Sequence, residues 1–212
     1  MTPDPVSLRQ IAGAKADENY RFRDFLKHRT RLSSEEVNEL VFEAEERVWK
    51  RIDCTTCANC CREVSPTLSE NDLDRLATHV GMNRSEFASK YLKQADSTTD
   101  NPWIMRERPC PFLKDNRCSV YDHRPANCRD YPYLHKPDFT SRTLSMIGRI
   151  SECPAVFEVW EELKKATGYR HHPQVNWRDA WIYTCIGAVP LGQMHARPNS
   201  RQHPDPPVSP AR

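Results

Sequence analysis

The sequence predicts a mainly α-helical, small metal-stabilised domain, with helices around a cysteine-rich core and at most a short β-hairpin. Apolar residues recur at three- and four-residue steps in several segments, which is the spacing of one helix face. At 212 residues the chain can bury a core without covalent staples, but only 38% of the residues are hydrophobic, so part of the length is expected to lie outside a core. Nine cysteines, four of them within eight residues, predict sulfur chemistry, because packing alone does not require such clustering.

Helix boundaries follow from the capping residues. Ser33 and Glu36 have the spacing of a capping box, in which each side chain bonds a backbone N–H of the other residue, and they predict a helix over 33–52. The same reasoning predicts helices over 20–28, 69–80, 83–93, 153–168 and 177–189. The last of these contains Cys185 among apolar residues, where a buried structural thiol is expected.

The chain divides by composition into three parts. Residues 1–17 contain two early prolines and few apolar residues, which predicts a flexible arm. Residues 18–190 form the predicted cysteine-cluster metal-binding domain, with its motifs between residues 53 and 154. Residues 191–212 are polar and proline-rich, which predicts a disordered tail because such a segment cannot bury a core.

Charge and hydropathy exclude two classes of partner. The chain has 31 Lys and Arg against 29 Asp and Glu, for a net charge of +2, so no nucleic-acid partner is indicated. No apolar run is long enough to cross a bilayer, so no membrane partner is indicated either. The N-terminal residues lack the basic start and apolar core of a signal peptide, which predicts a cytoplasmic location. Thiols stay reduced there, so metal ligation is favoured over disulfides.

The cysteine spacing carries the functional signal. Four cysteines lie within eight residues, in the spacing C-x2-C-x2-C-C: Cys54, Cys57, Cys60 and Cys61. Four more follow at wider spacing: Cys110, Cys118, Cys128 and Cys153. Two thiolates separated by two residues can converge on one ion from a single turn. Eight thiols fit two four-thiolate sites, or one [4Fe–4S] cluster with additional ligands, and sulfur suits both zinc and iron.

Residues near the second set of cysteines predict the surroundings of the metal. The segment Asp115–Arg117 has the composition of a turn, so we expect a hairpin with Cys110 and Cys118 on its two arms. Arg124 and Arg129 flank Cys128, where guanidinium groups would hydrogen-bond the sulfurs and offset their charge. Two tyrosines are expected to pack over the site and one histidine is a weaker candidate ligand: Tyr121, Tyr131 and His123.

Taken together, these motifs resemble the YkgJ-type cysteine-cluster family. The resemblance is carried by the C-x2-C-x2-C-C loop, by Cys110 with Pro111, and by the segment from Cys118 to Pro132. It implies chelation of zinc or iron, and the family is mainly bacterial. Flagellin lysine N-methylases share these cysteine motifs, and they are S-adenosylmethionine-dependent methyltransferases with an iron–sulfur centre.

Three functions remain open from the sequence. The first is a metal-binding protein that chelates zinc or iron through the eight thiolates. The second is an iron–sulfur enzyme for redox chemistry or S-adenosylmethionine-dependent methyl transfer. The third is a zinc–thiol switch, in which oxidation of the thiols expels the metal. No phosphate-binding loop, nucleophile elbow or dinucleotide fingerprint is present.

Overall fold

The computed structural model describes residues 4–95 and 101–171. Ten α-helices lie within these residues: α1 (Pro5–Ala14), α2 (Ala16–His28), α3 (Ser34–Trp49), α4 (Cys54–Cys57), α5 (Asn59–Glu63), α6 (Glu70–His79), α7 (Arg84–Tyr91), α8 (Ala126–Asp130), α9 (Phe139–Ile150) and α10 (Pro154–Ala166). A short 3-10 helix covers Tyr121–His123, and the strands are β1 (Thr67–Leu68), β2 (Leu92–Gln94), β3 (Trp103–Met105), β4 (Leu113–Lys114) and β5 (Arg117–Cys118). The predicted mainly α-helical fold class is confirmed.

The strands form two small antiparallel sheets. In the first, β3 lies between β1 and β2, and Ile104 pairs with Thr67 on one side and Lys93 on the other. In the second, the predicted hairpin is present, with Leu113 opposite Cys118. The first sheet exceeds the single hairpin expected from the sequence. Its outer strands have two and three residues, too few to show the alternation by which strands are recognised.

Capping residues set the helix starts as the sequence predicts. At α3, the Glu36 amide donates to Ser33 Oγ at 3.2 Å, and the Ser33 amide donates to Glu36 Oε2 at 2.7 Å. The same reciprocal bonds are present at α6, between Ser69 and Asp72, and at α7, between Asn83 and Glu86. These contacts lie within four residues, which is why local sequence is enough to place them.

Two apolar cores organise the helices. The larger lies among α2, α3, α9 and α10, where Phe22 meets Trp160 edge to face with ring centroids 5.2 Å apart. The smaller packs α6 and α7 against the first sheet and the hairpin. Cys153 belongs to the larger core, whereas Cys110 and Cys118 pack against the smaller one. The cysteine-bearing segments therefore join the two cores.

The N-terminal segment differs from its prediction. The sequence predicts a flexible arm over 1–17, but residues 5–14 form α1, and α2 already starts at Ala16. Asp4 caps α1 by accepting from the Val6 amide at 2.9 Å, and Leu8 is fully buried where α1 meets α2 and α9. Leu8 alone gives no periodic pattern, so its burial depends on helices distant in sequence.

The sequence analysis does not predict helix α9. Its first residue, Phe139, donates its amide to Asn38 Oδ1 on α3 at 2.9 Å, and the residue before it has no capping side chain. The start of α9 is thus fixed by a contact across 101 residues rather than by a local signal. Its buried face packs into the larger core through Phe139, Thr143, Met146 and Ile150.

Three predictions fall outside the described residues: the helix over 177–189, the buried Cys185 and the disordered tail over 191–212. Within the described residues, none of the helices has the length and apolar character that a membrane span requires.

A buried lysine ties α2 to α10. Lys164 is 5% exposed, and its Nζ donates to Glu18 Oε1 at 2.8 Å, to Asn19 Oδ1 at 2.7 Å and to Glu161 Oε1 at 2.7 Å. Asn19 is also buried, and it accepts from Trp160 Nε1 at 3.0 Å. All three Nζ protons are therefore paired.

Replacing this lysine should destabilise the fold. Lys164→Met keeps the apolar stem but removes the donor shared by Glu18, Asn19 and Glu161. Trp160 still donates to Asn19 and Lys15 still pairs with Glu161, so the loss of three charge-assisted bonds should cost about 2 kcal/mol of unfolding free energy. Urea denaturation should show a lower midpoint with an unchanged slope. Lys165→Met is the matched control, because Lys165 is exposed on the same helix, and equal midpoints for the two variants would contradict the assignment.

Candidate metal centre

The first four cysteines lie on two short helices joined by a left-handed residue. Asp53 caps α4 by accepting from the Thr55 amide at 2.8 Å. Ala58 then adopts φ 53°, which ends α4 and starts α5 in a new direction. Residues other than glycine, asparagine and aspartate seldom adopt this conformation, so the packing around Ala58 must hold its backbone there. The turn separates Cys54 and Cys57 from Cys60 and Cys61.

Backbone hydrogen bonds place Cys110 beside Cys61. The Cys110 amide donates to the Cys61 carbonyl at 2.7 Å, and Arg108 Nη1 donates to the Glu63 carbonyl at 3.0 Å. Strands β4 and β5 then return the chain so that Cys118 lies opposite Leu113. The hairpin therefore brings Cys110 and Cys118 to the second half of the first cysteine loop.

The tip of the hairpin also bonds this loop. Asn116 lies in the left-handed region, with φ 63°, where asparagine is tolerated. Its side-chain amide donates to the Thr56 carbonyl and accepts from Arg62, and Arg62 Nη1 donates to the Cys57 carbonyl at 3.3 Å. One hairpin side chain thus connects the segments on both sides of Ala58.

Helix α8 positions Cys128 through its neighbours in sequence. Asn127 Nδ2 donates to the Thr67 carbonyl on β1 at 3.1 Å, and the Ala126 amide donates to Asp72 Oδ1 at 3.2 Å. Arg75 bridges the same carboxylate and the Arg124 carbonyl, at 2.7 and 2.8 Å. These bonds fix α8 against β1 and α6.

Backbone amides point at five of the sulfurs. Cys153 is the N-cap of α10, and the nearby Ala155 and Val156 amides oppose the increase in the pKa of its thiol that burial causes. The donors are Asn59 for Cys57, Phe112 and Leu113 for Cys110, Val120 for Cys118, Ala155 and Val156 for Cys153, and the Cys61 amide for its own sulfur. Such bonds favour the thiolate, which is the form that ligates metal.

Four thiols gather near the hairpin, and we call them the second thiol group: Cys61, Cys110, Cys118 and Cys128. Burial, followed by the charges of the other three members, raises the pKa of Cys128 to about 12. Burial, followed by the charges of Cys61 and Cys118, also raises the pKa of Cys110 to about 11. Each thiol of this group therefore lies within electrostatic reach of the others.

The remaining four thiols gather near the start of α10, and we call them the first thiol group: Cys54, Cys57, Cys60 and Cys153. Burial, followed by the charges of Cys57 and Cys54, raises the pKa of Cys153 to about 12. The two groups touch, because the Cys60 thiol donates to Cys61 and this bond lowers the pKa of Cys61 to about 7.

The two thiol groups line two cavities. A cavity of about 20 Å³ is lined by all four members of the first group together with Trp49, Tyr131 and Glu152. A cavity of about 390 Å³ is lined by all four members of the second group, and Cys54 and Cys60 also reach it. Of the adjacent pair, Cys61 lines only the larger cavity, whereas Cys60 lines both.

Of the two arginines predicted to flank the site, Arg124 lies at the sulfurs. Its guanidinium is centred 3.5 Å from the Tyr121 ring centroid, and its Nε is buried without a hydrogen-bond partner within the described residues. Burial raises the pKa of both Cys118 and Cys128, and the Arg124 charge opposes that increase. A buried N–H donor beside several sulfurs fits a thiolate centre, whose negative charge it would offset.

The other predicted side chains lie at the margin. Arg129 is exposed and donates to the Arg124 carbonyl at 2.6 Å, so it holds the backbone of Arg124. His123 stacks on His79 with ring centroids 3.9 Å apart. Tyr131 lines both cavities, and its hydroxyl donates to Glu152 at 2.7 Å.

Two contributors were missed by the sequence reasoning. Arg62 favours the thiolate of Cys57, where its charge opposes the increase in pKa that burial causes. Its place directly after the adjacent cysteine pair is a signal that could have found it. The sequence places Asn116 only in a turn. Its bonds to Thr56 and Arg62 cannot be predicted locally, because they cross more than 50 residues.

Within residues 4–95 and 101–171, no three Cys, His, Asp or Glu side chains are arranged to hold a metal ion directly. The fit to metal rests instead on the chemistry of the groups. Eight thiols converge, backbone amides point at their sulfurs, and an unpaired guanidinium lies beside them. Sulfur is a soft ligand, which suits both zinc and iron.

Residues 53–146 match the family model described as "CxxCxxCC: Putative zinc- or iron-chelating domain". This segment of 94 residues, less than half of the chain, is similar to the CxxCxxCC domain. The matched segment includes all four thiols of the second group and three of the first, and Cys153 lies beyond it. No curated protein and no solved structure matches the chain significantly. Chelation of zinc or iron is therefore the function indicated by this similarity.

Loss of the Asn116 side chain should weaken metal binding. Asn116→Gly keeps the left-handed turn without strain but removes both bonds to the cysteine loop, so affinity should fall about tenfold in a chelator competition. Asp115→Gly is the control, because Asp115 has φ 46° and no side-chain bond to that loop. The role of Asn116 is rejected if both variants bind metal as the unaltered chain does.

Proposed function

We propose that this protein binds metal in two four-thiolate centres. The first centre is formed by the first thiol group, and the second centre by the second thiol group. The observation that carries this proposal is the distribution of the eight thiols around two cavities: the first thiol group lines the smaller one, and the second lines the larger one, which Cys54 and Cys60 also reach. The backbone bonds between these segments support the proposal, since they hold the cysteine-bearing loop, hairpin and α8 close together.

The size of the first cavity favours a single ion there. A volume of about 20 Å³ is close to that of one water molecule on this measure, so it has no room for a cluster of four iron and four sulfur atoms. Zinc and iron both accept four thiolates in tetrahedral geometry. We therefore propose a mononuclear first centre.

The positions of Arg62 and Arg124 fit the negative charge of a metal–thiolate centre. A divalent ion with four thiolates has a net charge of −2, by addition of the ion and ligand charges. Arg62 and Arg124 lie among the thiols and would offset part of this charge. Since Arg124 Nε has no other acceptor within the described residues, a thiolate is the partner that its position supports.

The metal in each centre would connect the two apolar cores. The first centre includes Cys153 of the larger core, and the second includes Cys110 and Cys118, which pack on the smaller one. Because the ligands come from segments far apart in sequence, metal binding would contribute free energy to folding itself. Chelation should therefore destabilise the domain.

Removing one cysteine from each group should separate the two centres. Cys153→Ser should lose only the first centre and Cys128→Ser only the second, because three thiolates hold an ion far more weakly than four. Metal content per chain, measured by mass spectrometry on purified protein, should fall in each variant, and the double variant should be free of metal.

The ninth cysteine provides the control for this experiment. Cys185→Ser should retain both centres, since Cys185 belongs to neither group. Complete loss of metal in both single variants, with the fold retained, would indicate one shared centre and contradict the proposed division.

An iron–sulfur cluster in the second centre is a second candidate. It is favoured by the cavity of about 390 Å³ beside these four thiols, which exceeds what one ion requires. A centre of that kind would support electron transfer or methyl transfer, whereas two zinc ions would support a structural role or a thiol switch.

Visible spectroscopy on anaerobically purified protein should decide this candidate. A cluster gives a brown protein with broad absorption, and that absorption should disappear in Cys128→Ser but persist in Cys153→Ser, because only the former removes a ligand of the second centre. A colourless protein that contains only zinc rejects the cluster and leaves the two mononuclear centres.

A further inference from the structure

The larger cavity extends beyond the thiols to one face of α9. Ser145, Gly148 and Arg149 line it at the three- and four-residue spacing of a single helix face, and Glu152 lines it just beyond the end of α9. None of these residues belongs to the thiol groups. This wall of the cavity is therefore available for something other than metal.

Gly148 lies at an exposed edge of the cavity, which we call its mouth. It lies within α9 in ordinary helical conformation, where glycine lowers helix stability relative to alanine. A Cβ atom added at this position would meet no atom within 4 Å. Neither the backbone nor packing requires a glycine here. Its effect is to leave space at an exposed edge of the cavity.

Arg149 supplies an uncommitted positive charge at the same edge. Its guanidinium is centred 4.9 Å from the Tyr133 ring centroid, and no carboxylate of the described residues lies within ion-pair distance of it. The nearby Glu152 accepts a hydrogen bond from Tyr131 instead. A guanidinium stacked on a ring keeps its N–H edge free to bind a planar or tetrahedral anion.

The remaining wall is largely apolar. It is formed by residues of the smaller core and of the first sheet: Leu76, Met105, Phe112 and Val120. A volume of about 390 Å³ lies within the range of pockets that bind small organic molecules. The cavity thus combines a partly apolar wall with Arg149 at its α9 edge, while Arg124 lies at the sulfurs and Glu152 is bonded to Tyr131.

We propose that this cavity binds a small organic anion. Its apolar body would lie against the smaller core, and its carboxylate or phosphate would pair with Arg149 at the mouth. This role goes beyond metal chelation, and it rests on the proposed function in one respect: the second centre holds a single ion, since a cluster would occupy part of the same cavity. The recognition is by charge complementarity at Arg149 and by the space that Gly148 leaves.

Two fluorescent probes that differ only in charge can test the proposal on the full, metal-loaded chain. One is 8-anilinonaphthalene-1-sulfonate, and the other is N-phenyl-1-naphthylamine, which lacks the sulfonate. The sulfonate should bind about tenfold more tightly, as expected for one charge-assisted hydrogen-bonded pair. Arg149→Met should abolish this preference and leave the affinity for the neutral probe unchanged.

A blocked mouth gives the complementary result. Gly148→Leu should weaken binding of both probes about tenfold or more, because the new side chain enters the space at the mouth. Gly13→Leu is the matched control, since Gly13 lies in α1 and also has no atom within 4 Å of an added Cβ. Circular dichroism and metal content of the same samples report separately on the fold and on the two proposed centres.

Competition with small aromatic anions identifies which anionic group the cavity binds. Displacement of the sulfonate probe by benzoate indicates a carboxylate ligand, and displacement by phenyl phosphate indicates a phosphate ligand. Displacement by neither contradicts the proposal. So does equal affinity for the two fluorescent probes, or unaltered binding by Gly148→Leu.

Discussion

The convergence of eight thiols at the junction of two apolar cores is the constraint on which the rest of the structure depends. Burial and mutual repulsion disfavour the charged form, as the raised pKa values of Cys110, Cys128 and Cys153 show. Thiolates so close together require nearby positive charge. Amide donors and Arg124 supply part of it, and a bound cation would supply the rest. Without a cation these thiols stay protonated, and a bound metal ion would stabilise their thiolate forms.

The fold meets this constraint with contacts between distant segments. The hairpin places two cysteines and bonds the first loop through Asn116. Helix α8 is fixed against β1 by Asn127 and against α6 by Asp72. None of these side chains is a candidate ligand. Their common role is to hold the short segments that bear the sulfurs, which have too few residues to form stable structure alone.

The two thiol groups differ most in what lies beside them. The first is enclosed by Trp49 and Tyr131 around a space the size of one ion, which suits a structural role. The second opens on a cavity whose far wall is α9, with Gly148 and Arg149 at its edge. If chemistry or ligand binding occurs in this protein, the second group is where the structure gives it room.

The sequence by itself determined what depends on neighbouring residues: the mainly helical class, the caps at Ser33, Ser69 and Asn83, the hairpin turn, and thiol spacing that favours metal. Only the tertiary structure brought the thiols together around two cavities, because that arrangement depends on segments far apart in sequence. The tertiary structure also determined that α1, α9 and the outer strands of the first sheet form. Their local sequence patterns are weak, because contacts between distant residues stabilise them, such as the bond between Asn38 and α9.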